Sequence, residues 1–133
     1  MEKISLTLSE QLIAQAINKA KQLDIAVNIA IVDASGYLVN FNRMDGALLG
    51  AIDIAIGKAK TAALFEKPTH ILGEKSQPGA PLYQIEQSNG GLITFAGGVP
   101  IVNDNNQVIA AIGVSGSTIE NDLLVAQAGL INS

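Results

Sequence analysis

The chain contains no cysteine and no tryptophan, and it has only three phenylalanines and two tyrosines. The lack of a thiol excludes disulfides, thiolate nucleophiles and metal sites built on sulfur. Because aromatic rings are scarce, a core has to be built from Ile, Leu, Val and Ala, which are plentiful in a chain that is 48% hydrophobic. A length of 133 residues suits one core. We therefore expect a single domain over residues 1–133.

Positive charge is also scarce. Lys and Arg together number eight, the formal net charge is −4, and no basic cluster occurs. Binding to nucleic acid or to an anionic lipid surface needs clustered cations, so neither partner is expected. The first residues lack the pattern of a signal peptide, and no apolar run reaches the length of a membrane span. The sequence thus predicts a soluble cytoplasmic protein.

Histidine occurs once, as His70. A metal site formed by several protein ligands is poorly supported, because neither a second histidine nor a cluster of carboxylates accompanies it. His70 could still act as the single protein ligand of a metal or of a haem iron. The alternative interpretation is an ordinary surface histidine in a loop.

The apolar pattern predicts the order helix, two strands, helix, three strands, helix. The predicted helices span residues 7–23, 45–65 and 118–131, with a short helix at 69–74, and the predicted strands span 25–32, 37–42, 92–95, 99–102 and 107–115. Hairpin-joined strands with helices packed on them indicate an α+β domain around a five-stranded, mostly antiparallel sheet. The second helix is rich in Ala and Gly, which lets another backbone come close.

The stretch GVSGST (113–118) joins the last predicted strand to the last helix. It lacks the lysine of a phosphate-binding Walker loop and misses the spacing of a nucleophile elbow by one residue. Gly116 permits a sharp turn, and Ser117-Thr118-Ile119-Glu120 has the pattern of a capping box. A strand-to-helix corner is the favoured interpretation. An anion site on the backbone amides of the helix start is the alternative.

Two glycine pairs flank the predicted strand 92–95. Gly90-Gly91 precedes it, and Gly97-Gly98 follows it. These glycines indicate either tight turns and a bulge or a backbone that a flat ligand can approach closely. Both interpretations stay open.

Arg43 and Asp45 lie at the end of the second predicted strand. The two could pair locally, and Asp45 is a natural N-cap for the second helix. Alternatively, Arg43 could hold a carboxylate or a propionate with two hydrogen bonds.

Four segments in order resemble one known family. They are AIVDASGYLVNFNRMDGA (30–47), KAKTAALF (58–65), PGAPLYQIEQSNGGLITFAGGVPI (78–101) and AAIGVSGSTIENDLLVAQAGL (110–130). Together they resemble the GlcG/HbpS-like family, which includes the C-terminal domain of PduO-type corrinoid adenosyltransferases. The resemblance implies a profilin-like α+β fold, a homo-oligomer and, as in several members, haem binding.

The resemblance also suggests where a cofactor would bind. Lys58 and Asp122 match the family's pattern, whereas Ser117 stands where relatives often have glycine. His70 lies in a PTH segment similar to that of PduO C-terminal domains and is the candidate metal ligand. The candidate cofactor-binding residues are Arg43, Asp45, His70, Gly90, Gly91, Gly97, Gly98, Gly113, Ser115 and Gly116.

Three functions remain open at this point. The first is an accessory protein that binds haem or a related tetrapyrrole, linked to cobalamin-dependent diol or glycerol breakdown or to glycolate use. The second is an accessory enzyme, or a reactivation partner of a cobalamin-dependent enzyme, that acts on a corrinoid or a small carboxylic acid. The third is a cofactor-free oligomeric structural protein. Binding ranks above catalysis because the sequence shows no complete set of nucleophile, base and orienting group.

Overall fold

The computed structural model describes residues 2–130, which form four strands and four α-helices. In chain order the elements are α1 (Leu6–Gln22), β1 (Asn28–Asp33), β2 (Leu38–Arg43), α2 (Ala51–Phe65), α3 (Thr69–Lys75), a 3₁₀ turn (Ile85–Gln87), β3 (Gly98–Val102), β4 (Val108–Ser115) and α4 (Ile119–Gly129). None of the helices in this range has the length and apolar character that crossing a bilayer requires.

The four strands form one antiparallel sheet in the order β2-β1-β4-β3. The predicted α+β class is confirmed, but the fifth strand predicted at 92–95 is absent from the part of the chain that the structure describes. This segment lies along α2 instead, where the Ile93 N–H donates a hydrogen bond to Thr61 Oγ1 at 3.1 Å. A turn at Gly90 precedes this segment, and the chain joins the sheet only at Gly98, where β3 begins.

The two faces of the sheet are packed in different ways. Branched residues such as Ile29, Ile112 and Val114 point to the face that α1 and α4 cover. The opposite face carries Ala30 and Ala111, and only α2 covers it there, through a row of alanines. Side-chain alternation along β1 and β4 thus places mostly bulky residues on one face, whereas the other face carries mainly small residues beside Val32.

Small residues let α2 approach the sheet very closely. A Cβ atom at Gly113 would overlap backbone atoms of Ala55 and Ala59, and one at Gly98 would overlap the carbonyl oxygen of Lys58. The small-residue composition of this helix therefore serves a contact inside the chain.

Several predicted boundaries shift. Helix α2 begins at Ala51 rather than at 45 or 46, because the residues before it form turns. Helix α1 begins at Leu6 rather than at 7, because the Ser5 side chain caps it and accepts a hydrogen bond from the Leu8 N–H at 3.0 Å. The predicted end of the last helix, at 131, lies outside the described residues.

Candidate ligand-binding site

Residues from three strands meet at one end of the sheet. Asn28, the first residue of β1, lies opposite Arg43 at the end of β2 and opposite Ser115 at the end of β4. Asn28 also donates from Nδ2 to the Leu48 carbonyl at 3.0 Å, which holds the loop before α2 against this end of the sheet. The start of β1, the ends of β2 and β4 and the loop before α2 therefore meet at one location.

An open cavity of about 390 Å³ lies at this end of the sheet. This volume falls within the range of about 300–1,000 Å³ that is typical of small-molecule sites. The start of α2, the Phe95 segment and the β4–α4 turn form its walls. The lining residues are Leu48, Gly50, Ala51, Ile54, Phe95, Ser115, Gly116, Ser117, Ile119 and Asp122.

The cavity has an apolar rim and a more polar base. The rim side chains are exposed, at 66% for Leu48, 43% for Phe95 and 44% for Ile119. The base includes Ser115 and Asp122, which are both buried. A ligand with an apolar body and a polar end matches this division.

A buried ion pair lies beside the base. The side chain of Lys58 has no exposed surface, and its Nζ lies 3.2 Å from Asp122 Oδ2 and donates to the Val114 carbonyl at 2.9 Å. The same Nζ lies 5.0 Å from the centre of the Phe95 ring, in cation–π geometry. Burial lowers the pKa of Lys58 below its usual value of 10.5, although the attraction of Asp122 opposes this shift.

The stretch GVSGST is both a strand-to-helix corner and one wall of the cavity. Gly116 turns the chain at φ +141°, where a Cβ would come within 3.1 Å of the Val27 Cα. The helix is capped by Thr118, whose hydroxyl accepts from the Asn121 N–H at 3.1 Å, rather than by Ser117.

The alternative reading of this corner, an external anion on the helix amides, has a competitor within the chain. The Ser117 N–H already donates to Asp122 Oδ1 at 3.0 Å. The carboxylate of Asp122 therefore occupies this part of the helix start and joins it to Lys58 through its other oxygen.

Three of the candidate glycines lie behind the cavity and serve packing. Gly98 and Gly113 pack against α2, as described above. Gly97 has φ +132°, and a Cβ there would come within 2.6 Å of both Lys58 Nζ and the Val114 carbonyl oxygen. These glycines bring backbone close to the ion pair and leave no room for a ligand at their own positions.

Gly90 and Gly91 lie elsewhere. Both are exposed and adopt positive φ, and neither is among the residues that line the cavity. Their loop is attached to α2 by Lys60, whose Nζ donates to the Asn89 carbonyl at 2.8 Å. The structure therefore does not bring this glycine pair together with Ser115 and Gly116.

Arg43 and Asp45 are both exposed. Among the described residues no ion pair joins them, and the N-cap of α2 is Gly50, so the predicted capping role of Asp45 is wrong. Arg43 nevertheless lies at the same end of the sheet as Ser115, because both are opposite Asn28.

His70 lies in the first turn of α3 and does not line the cavity. The preceding residue, Thr69, donates to the Phe95 carbonyl at 2.8 Å and accepts from the Gly98 N–H at 3.0 Å, so α3 is attached to the segment that carries Phe95. His70 Nδ1 is buried and has no hydrogen-bond partner in the described chain. Within residues 2–130, no group of three or more His, Cys, Asp or Glu could hold a metal ion.

The ion pair is the main feature that sequence reasoning did not assign. Lys58 and Asp122 each match the family pattern, but nothing in the sequence pairs two residues that are 64 positions apart. A lysine in the middle of a helix rich in Ala and Ile was the available signal.

The chain is thus a small α+β domain with an open cavity at one end of its sheet. The family model described as "Haem degrading protein HbpS-like" matches residues 4–131, and the chain belongs to this family. The resemblance recognised in the sequence is thereby confirmed.

Individual relatives support this assignment. The chain is 39% identical to an uncharacterized 15.0 kDa protein of the dhaT-dhaS intergenic region of Citrobacter freundii, over 88% of this chain and 83% of that protein. It is 38% identical to the corrinoid adenosyltransferase PduO of Salmonella typhimurium, over 90% of this chain but only 36% of that enzyme. The solved structure of a PduOC:heme complex superimposes with a TM-score of 0.92 at 36% identity, covering 98% of this chain and 96% of that one.

Proposed function

We propose that this chain binds haem or a related tetrapyrrole at the apolar rim of the cavity. The observation that carries the proposal is the open cavity whose rim exposes Leu48, Phe95 and Ile119. Exposed apolar side chains grouped around a concave surface are typical of a ligand site. Membership of a family described as haem degrading, and a similar structure solved with haem, support this choice of ligand.

The residues around the cavity fit the parts of a haem. An aromatic ring and aliphatic side chains suit the porphyrin plane, and Arg43, at the same end of the sheet, could bind a propionate through its guanidinium. Bound haem would supply a redox-active iron with an open or exchangeable axial position.

His70 is the proposed axial ligand, because it is the only imidazole in the chain. Helix α3 is attached to the Phe95 segment through Thr69, so His70 belongs to the structure that borders the rim. Its Nδ1 lacks a hydrogen-bond partner, whereas the second nitrogen of a ligating histidine normally donates to an oxygen. We therefore expect α3 to adjust when a ligand binds.

The wider role is also a proposal. Similarity to part of a corrinoid adenosyltransferase and to a protein of the dhaT-dhaS region supports an accessory role in cobalamin-dependent diol or glycerol metabolism. A corrinoid is the alternative ligand, and a cobalamin-dependent enzyme and a second copy of the chain are the proposed protein partners. The adenosyltransferase activity itself is not proposed, because the chain spans about a third of that enzyme.

The test is a haemin titration followed at the Soret band, with three variants. Leu48→Ala removes an exposed rim side chain but keeps the carbonyl that Asn28 binds. Leu38→Ala is the matched control, because Leu38 is also exposed but begins β2, at the other end of that strand from Arg43. His70→Ala removes every imidazole from the chain.

We expect saturable binding that Leu48→Ala weakens and Leu38→Ala leaves unchanged. Loss of the ligand-field spectrum in His70→Ala would establish the axial ligand, whereas an unchanged spectrum would move the ligand to another side chain. If the binding of haemin does not saturate and the binding of aquocobalamin does, the ligand is a corrinoid. If neither binds, the proposed function is wrong.

A further inference from the structure

The ion pair lies where a purely structural role explains it poorly. Replacing a buried ion pair by apolar residues of similar size is often neutral or stabilising, because desolvation offsets the attraction between the charges. Lys58 and Asp122 are nevertheless buried directly beside an open cavity, and Asp122 forms part of its base. The ring of Phe95, itself partly exposed and part of the cavity wall, lies over the amine.

Two further polar groups near the base have no partner. The Ser115 hydroxyl lines the cavity and forms no hydrogen bond with another described residue. Asn28, opposite Ser115 on β1, is fully buried, and its Oδ1 has no partner in residues 2–130. A buried oxygen without a partner, such as Asn28 Oδ1, costs free energy. Together with the free hydroxyl of Ser115 in the cavity wall, it indicates a site for a polar ligand group.

We propose that Lys58 captures small aldehydes or ketones as an imine, with Asp122 as its proton acceptor and counter-ion. Asp122 lies at the base of the cavity, below the rim proposed for the tetrapyrrole, and Lys58 lies behind it without lining the cavity itself. The inference does not rest on haem binding.

The chemistry requires only the amine, the carbonyl compound and a proton acceptor. Asp122 Oδ2, at 3.2 Å, takes one proton from the ammonium group, and the free Nζ attacks the carbonyl carbon to form a carbinolamine. The C–O bond then breaks, and the oxygen leaves as water after Asp122 returns the proton. Ammonium and carbonyl thus give iminium and water, and the iminium charge faces the Asp122 carboxylate.

The surroundings favour this step. Burial lowers the pKa of Lys58, which increases the share of free amine near neutral pH. Phe95 has to move aside to admit a carbonyl compound. It lies in a segment without strand pairing and two residues before Gly97, whose φ is +132°. The Ser115 hydroxyl is placed to donate a hydrogen bond to a carbonyl oxygen that enters the base.

The test is reductive trapping on the haem-free wild-type protein. Propionaldehyde at limiting concentration, followed by a pulse of sodium cyanoborohydride, adds a propyl group wherever an imine forms, and peptide mass spectrometry measures the labelling of each lysine. Lys60, two residues away on the same helix with its Nζ bound only to an exposed carbonyl, is the internal control. We expect Lys58 to be labelled about tenfold faster than Lys60, as for a lysine activated by desolvation.

A buried structural lysine would instead be labelled last. Labelling of Lys58 no faster than that of Lys60 would overturn the proposal, and this measurement needs no variant that could fail to fold. Asp122→Asn, checked for folding by circular dichroism, removes both the proton acceptor and the attraction that raises the pKa of Lys58. At alkaline pH, where the amine is already free, the variant should therefore slow labelling at Lys58 and leave Lys60 unchanged. Equal rates at Lys58 in folded Asp122→Asn and wild type would overturn the role of Asp122.

Discussion

Removal of Lys58 should destabilise the protein far more than removal of its neighbour Lys60. In Lys58→Met, the Val114 carbonyl loses its 2.9 Å hydrogen bond and Asp122 becomes a buried carboxylate without its cation. Breaking a buried pair in this way costs about 3–5 kcal/mol. Because Asp122 keeps the hydrogen bond from the Ser117 N–H, we expect the lower end, about 3 kcal/mol, which corresponds to a fall in Tm of about 10 °C for a domain of this size.

Urea unfolding followed by circular dichroism measures this change in the free energy of unfolding. Lys60→Met is the matched control, because Lys60 donates only to an exposed carbonyl, and we expect it to cost less than about 1 kcal/mol. Adding Asp122→Asn to Lys58→Met should restore about 1 kcal/mol or more, since a neutral amide is easier to bury than a charge. The reasoning is refuted if the two lysine variants are equally stable, or if the double variant is no more stable than Lys58→Met.

Two further predictions concern packing and pH. Gly113→Ala should cost about 3 kcal/mol, because the added Cβ meets backbone atoms of α2 that cannot rotate away. Gly50→Ala, with open space around it, should change the stability by less than about 1 kcal/mol. Thermal unfolding compares the two variants, and equal Tm values would contradict the close approach of α2. Because the pKa of Lys58 in the folded state lies below 10.5, the unfolded chain binds more protons than the folded chain between that pKa and pH 10.5. The stability of wild type relative to Lys58→Met should therefore rise with pH across this window and be smallest below it. Urea titrations of both proteins at several pH values test this, and a difference that falls with rising pH would contradict the lowered pKa.

Much of the fold was accessible from periodicity alone. Helix α1, the hairpin of β1 and β2, and the pair β3 and β4 follow local apolar patterns that a single segment carries by itself. The segment 92–95 was misread because its apolar residues bind along α2 rather than a neighbouring strand, and only the course of the chain between Gly90 and Gly98 decides that. The misassigned cap at Asp45 has a similar cause, because tertiary contacts of Leu48 delay the start of α2 to Ala51.

The candidate site was predicted in part. Ser115 and Gly116 do line a cavity, and the local sequence showed that a sharp corner lies there. The same reasoning could not distinguish them from Gly97, Gly98 and Gly113, which are also small, buried residues in or next to a strand. Whether a glycine faces a ligand or a helix backbone depends on what packs opposite it, and this partner is a distant part of the chain.

The sequence by itself determined the α+β class, the composition of the core and the family, because these depend on local periodicity and on residues in fixed order. It also left His70 as the best single candidate for a metal ligand, because the chain has one histidine and no cysteine. Only the tertiary structure decided that Lys58 meets Asp122 beneath Phe95, and that this pair lies beside an open cavity. The physical reason is that α2 and α4 pack on opposite faces of the sheet and reach each other only past the end of β4, where Ser115 and Gly116 turn the chain.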